Sequence, residues 1–83
     1  MAEKKLLQLT VTKVDGPLFE GGAESVTVPG IEGEMTILPH HSALISPLKR
    51  GVITVRTGGE EKFFELEESG TLEVSGNQAT VLM

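Results

Sequence analysis

The residues best suited to chemistry are the adjacent His40 and His41. An imidazole pair can bind a metal or act as a general base. On a strand, neighbouring side chains point to opposite faces, so two consecutive histidines would not converge on one ion. There is no HExxH spacing and no third ligand nearby in the chain, and the pair reads as loop or packing histidines. The next candidate is the carboxylate series Glu60, Glu61, Glu65, Glu67, Glu68 and Glu73, which could supply an acid–base couple. Glu65 and Glu67 fall on the polar phase of an alternating run, and Glu60 and Glu61 flank a glycine turn. That pattern describes a solvated face, whose charges also deter edge-to-edge pairing. Ser42, Ser46 and Ser69 lack a G-x-S-x-G context, and the glycines make neither G-x-G-x-x-G nor a phosphate loop. With three Phe and no Trp or Tyr there is no aromatic platform for bases or sugars. No catalytic, cofactor-binding or metal-ligating residue is assigned, and the chain reads as a non-enzyme.

The segment Val28-Pro29-Gly30-Ile31-Glu32-Gly33-Glu34-Met35 carries a different kind of signal. Two glycines and two carboxylates share a tight connection with Ile31 at its tip. One reading is a hairpin whose polar residues simply face water. The other is a docking loop in which rigid turns present Ile31, Glu32 and Glu34 to a basic partner.

The elements that must position these residues are short strands. Apolar side chains alternate with polar ones at Leu7, Leu9 and Val11, at Val26 and Val28, and at Met35 and Ile37. The same alternation recurs at Ile53 and Val55, Phe64 and Leu66, Leu72 and Val74, and Ala79, Val81 and Met83. A period of two places each set on one face of a pleated strand. Asp15-Gly16-Pro17, Gly21-Gly22, Pro29-Gly30, Gly33, Pro39, Pro47, Gly51, Gly58-Gly59 and Gly76-Asn77 punctuate the runs. Gly58-Gly59 and Gly76-Asn77 read as two-residue hairpin turns. Residues 60–69 are rich in helix formers, but their apolar positions make no helical stripe, so a strand is expected there. Many short strands without βαβ spacing predict an all-β sandwich or barrel in a single domain, residues 1–83.

Composition narrows the partners. The chain has 83 residues, twelve acidic against seven basic, and a net charge of −5. An acidic surface argues against nucleic acid, whose phosphates need basic residues. Without cysteine there is neither a disulfide nor a thiolate metal site, and nothing demands an oxidising compartment. Lys4-Lys5 is too small a cluster for a polybasic membrane anchor, no apolar run spans a bilayer, and Met1–Leu9 lacks a signal-peptide stretch. Membrane association is therefore expected only through another protein.

An ordered series of motifs then points to a family. Glu24-Ser25-Val26-Thr27-Val28-Pro29-Gly30-Ile31-Glu32-Gly33-Glu34 is followed by Leu38-Pro39-His40-His41-Ser42-Ala43-Leu44-Ile45, then by Leu48-Lys49-Arg50-Gly51-Val52-Ile53. The chain closes on Leu72-Glu73-Val74-Ser75-Gly76-Asn77-Gln78-Ala79-Thr80-Val81-Leu82. This resembles the N-terminal domain of the epsilon subunit of F-type ATP synthases, the delta subunit of mitochondria, from about Leu7 to Leu82. The resemblance implies a flattened β-sandwich of two packed, mainly antiparallel sheets. It implies a non-catalytic central-stalk rotor subunit that joins gamma to the c-ring and supports coupling of ion transport to ATP synthesis. The family's ring-contacting loop carries over onto Gly30, Ile31, Glu32, Gly33 and Glu34, and its gamma-facing surface onto His41, Ser42, Ala43 and Leu44. The implied location is peripheral, on the cytoplasmic face of the bacterial inner membrane, with no cofactor.

Three departures accompany the resemblance. Thr36 and His40 stand where the family often has glycine, and Glu68-Ser69-Gly70 replaces a usual Ser-Gly-Gly. The family's C-terminal helical hairpin is not in this sequence, which reads as a naturally short member or as a trimmed piece of a longer one, the former being the expectation. The alternative is a free-standing ligand-binding β-sandwich, which would need an aromatic or polar pocket.

Overall fold

The computed structural model describes residues 5–83; Lys4 of the basic pair and the start of the Met1–Leu9 stretch lie outside them. The described residues form β1 (Leu7–Lys13), β2 (Gly16–Ala23), β3 (Ser25–Gly30), β4 (Gly33–Ile37) and β5 (Leu44–Leu48). They continue as β6 (Gly51–Thr57), β7 (Glu60–Leu66), β8 (Gly70–Ser75) and β9 (Gln78–Leu82), with no helix among them.

The strands make two layers. One runs β2-β1-β9-β8-β5, the other β7-β6-β3 with β4 on the far side of β3. A single bridge, Gly30 to Leu48, joins β3 to β5, so the layers form one curled sheet folded on itself as a sandwich. Among the described residues only β1 with β9 pairs in parallel.

The period-two pattern explains the core. Leu7, Leu9 and Val11 of β1 meet Val26 and Val28 of β3, Ile53 and Val55 of β6, Leu72 and Val74 of β8, and Ala79 and Val81 of β9 in one buried cluster. Burial of each such Val, Ile or Leu stabilises the fold by about 1.5–3 kcal/mol. Among the described residues no polar side chain is buried. Phe19 of β2 and Phe64 of β7 face each other with ring centroids 6.5 Å apart, linking the terminal strands of the two layers.

Both two-residue hairpins form. Gly58-Gly59 joins Thr57 to Glu60, and Gly76-Asn77 joins Ser75 to Gln78, all four turn residues having positive φ as a type I′ turn requires. Residues 60–66 are strand, as their pattern predicts.

Several glycines and prolines read as breaks lie within strands, Pro29 near the end of β3 and others in β2 and β5. Gly16, Pro17, Gly21 and Gly22 lie inside β2, and Pro47 lies inside β5. β2 is an edge strand, where a proline's missing N–H costs little, and its register with β1 shifts beside Pro17. Gly22 is filled from outside: an added Cβ would stand 2.8 Å from Leu6 Cδ1. In β5 the Pro47 carbonyl accepts the Ile31 N–H, away from β8. The proline nitrogen points the same way, so the β5–β8 ladder loses no bond.

Candidate docking surfaces

The first surface is the β3–β4 tip. Gly30 pairs with Gly33, leaving Ile31 and Glu32 as a two-residue turn. Neither turn residue takes positive φ; Gly33 does, at 141°. The strands approach so closely that a Cβ on Gly30 would lie 2.6 Å from the Gly33 carbonyl oxygen. Gly30 is buried, whereas Ile31, Glu32, Gly33 and Glu34 are exposed, Ile31 to 56%. Backbone bonds tie the tip to β5 and the residue after it: Ile31 N–H to the Pro47 carbonyl at 3.3 Å, and Lys49 N–H to the Pro29 carbonyl at 2.9 Å. Two carboxylates and one aliphatic side chain therefore project from a stiff turn, beside an open groove completed by Met35, Ser46 and Pro47.

The second surface is the connection between β4 and β5. Here His40 and His41 occupy a turn and not a strand, so the alternation argument does not apply to them. His41 N–H donates to the Leu38 carbonyl at 3.2 Å, closing the turn. Its Nδ1 lies 2.8 Å from the Ser42 carbonyl, which can only accept, so Nδ1 carries the proton. His40 holds φ 63°, the left-handed region that glycine takes without strain. Thr36, the other departure, sits in regular strand opposite Thr27, their hydroxyls 3.0 Å apart.

The four residues of this second group do not share one fate. His41 is half-buried, Ser42 and Ala43 are exposed, and Leu44 packs against the core. The apolar side chain presented outward is Ile45, 72% exposed, which the sequence reading omitted. With Ala43, Glu73 and Ser75 it lines an open groove. The two surfaces stand at opposite ends of β5, about 13 Å apart along the strand.

The carboxylate series does not converge. Glu65 and Glu73 lie exposed on different layers, and Glu61 pairs with Arg56 at 2.7 Å on the surface. Among the described residues no three His, Asp or Glu side chains are placed to share an ion.

Residues 6–83 match the family described as ATP synthase, Delta/Epsilon chain, beta-sandwich domain. The chain belongs to this family. The domain is 42% identical over 77 residues to the ATP synthase epsilon chain of Nitratiruptor sp., covering 93% of this chain and 60% of that one. It is 41% identical over 78 residues to the Bordetella petrii epsilon chain, covering 92% and 54%. The delta/epsilon β-sandwich here thus spans three-fifths or less of the length of these relatives. Its fold is that of a chain in the Euglena gracilis mitochondrial ATP synthase OSCP/F1/c-ring structure, with TM-score 0.88 at 21% identity over 100% of this chain and 53% of that one. A chain of the Tetrahymena thermophila central stalk and c-ring structure matches with TM-score 0.80 at 17% identity, over 98% and 65%.

Proposed function

We propose that this domain is a non-catalytic rotor element of an F-type ATP synthase, joining gamma to the c-ring so that ion-driven rotation reaches the stalk without slippage. The observation that carries the reading is the rigid acidic tip, Ile31 to Glu34, on a delta/epsilon β-sandwich. The fold matches, whose structures are of a central stalk with c-ring and of an F1 with c-ring, support the same placement. Glu32 and Glu34 would meet basic loops of the ring, and Ile31 would fill a gap between them. His41, Ser42, Ala43 and the neighbouring Ile45 would face gamma, with Leu44 anchoring that segment to the core. An interface of ordinary size, roughly 1,600 Å² in total, is enough to hold a domain this small. Attachment through these partners would place the domain peripherally, on the cytoplasmic face of a bacterial inner membrane.

Two measurements test this. Co-purification with gamma is expected; a domain that recovers no gamma from an assembling complex overturns the assignment. The double substitution Glu32→Lys with Glu34→Lys is expected to keep the fold, because both side chains are exposed. It should weaken retention on the ring by roughly ten-fold or more at low salt, and less at high salt. Reconstituted complexes with undiminished coupling and retention would refute the role of the tip.

A further inference from the structure

Asn77 sits at the second position of the β8–β9 turn, with φ 62°. Glycine fills that position at no steric cost, and Gly76 already fills the first. Either glycine or asparagine suits such a turn, so turn formation alone does not distinguish the carboxamide from a hydrogen. Its side chain is used on two segments remote in sequence. Oδ1 accepts the His40 N–H at 2.7 Å, and Nδ2 donates to the Leu6 carbonyl at 2.9 Å. The Asn77 carbonyl accepts the Gln8 N–H at 3.1 Å. The amide's orientation is fixed by its partners, since a peptide N–H can only donate and a peptide carbonyl can only accept.

The His40 end of this bridge is strained. A non-glycine residue in the left-handed region persists only where its surroundings hold it. His40 is exposed, so packing does not hold it; the bond to Asn77 does. The residue that follows is His41, whose own bonds to Leu38 and Ser42 shape the turn that leads into β5.

We infer that Asn77 is a positioning residue for the 38–43 loop, locking its strained His40 backbone against β1 and thereby presenting His41 to Ala43 for docking. The inference rests, for the identity of the docked partner, on the reading of this loop as the gamma-facing surface. The acceptor of the carboxamide is the group that holds the His40 N–H, and its donor separately ties the turn to Leu6. Aspartate keeps the acceptor alone, and glycine keeps neither while leaving the turn unstrained.

The test compares Asn77→Gly and Asn77→Asp with the unaltered chain in two measurements. The first is amide hydrogen exchange of the free domain. His40 should exchange roughly two- to ten-fold faster in Asn77→Gly, the loss of about one net hydrogen bond, and stay near the original rate in Asn77→Asp. The second is affinity for gamma, expected several-fold weaker for Asn77→Gly and largely restored in Asn77→Asp, with cooperative unfolding kept in both. Unchanged His40 exchange in Asn77→Gly overturns the inference outright. Faster exchange with unaltered gamma affinity overturns its docking half. Equal losses in both variants, tracking a drop in global stability, reduce Asn77 to a general structural residue and also overturn it. If the unaltered chain itself fails to bind gamma, the functional reading falls, whereas the exchange result still decides whether Asn77 positions the loop.

Discussion

Gly30→Ala isolates the feature on which the acidic tip depends. The new Cβ would stand 2.6 Å from the Gly33 carbonyl oxygen and 3.1 Å from Met35 Cε. The methionine end can swing away, but the carbonyl belongs to the residue that pairs with Gly30. To reach ordinary contact at 3.4 Å it must retreat by about 0.8 Å, which breaks the close approach that shuts the hairpin. Overpacking of this kind costs about 1–3 kcal/mol, and loosening the closing hydrogen bond adds about 1. The total, about 2–4 kcal/mol, is a large share of the ~4–12 kcal/mol expected for a domain of this length. A melting point lower by roughly 10–25 °C follows. Gly33→Ala is the natural control: its Cβ would meet nothing within 4 Å, yet φ 141° strains any side chain. That strain alone costs about 1–3 kcal/mol, centred below the cost worked out for Gly30→Ala. Thermal and urea unfolding followed by circular dichroism should therefore rank Gly30→Ala as the more damaging. A Gly30→Ala domain as stable as the original, or less affected than Gly33→Ala, would refute the close-approach argument.

Other substitutions probe the core and the strained loop. Leu72→Ala removes a side chain with 0% exposure from a central strand and should cost about 2–5 kcal/mol, whereas Val52→Ala, 50% exposed, should cost under ~1. Equal urea midpoints for the two would contradict the assignment of the inner face. His40→Gly removes about 1–2 kcal/mol of left-handed strain but frees the unfolded chain by about 0.5–1. Its bond to Asn77 uses only the backbone, so stability should rise slightly or hold, and a clear loss on chemical denaturation would show that the histidine side chain contributes more than strain.

Much of this architecture can be read from the pattern of residues. Where polar and apolar side chains alternate, as at Leu7–Val11 or Leu72–Val74, the buried face follows directly from the pleat. The tip at residues 30–34 is similarly legible, because its glycines and carboxylates act within one turn. β2 and β5 are hidden for a physical reason. Their glycines and prolines are tolerated only by position in the sheet, at an edge or on the side facing away from the ladder. A linear reading cannot see either circumstance. The group expected to face gamma came from family resemblance alone; it names Leu44, which packs against the core, while alternation along β5 exposes the neighbouring Ile45. Asn77 could not be found at all, since its partners lie 37 and 71 residues away in the chain.

The two candidate docking surfaces are linked by a short and stiff route, which bears on how the domain would carry load in the proposed rotor role. A force applied at the acidic tip enters β5 through the Ile31–Pro47 and Lys49–Pro29 backbone bonds. β5 is paired along all five of its residues with β8, so it cannot slide without shearing that ladder. At its far end Leu44 is opposite Val74, one residue before the pair Ser75–Gln78 that closes the Asn77 turn. Asn77 in turn holds His40 and the start of β1. Every step in this path is a strand ladder or a backbone-directed hydrogen bond, with no long flexible side chain in series. An acidic tip set on a free loop could bind the same basic partner, but it would give way under torque. What distinguishes this chain is that its strand order fastens the tip, through β5, to the opposite end of the sandwich.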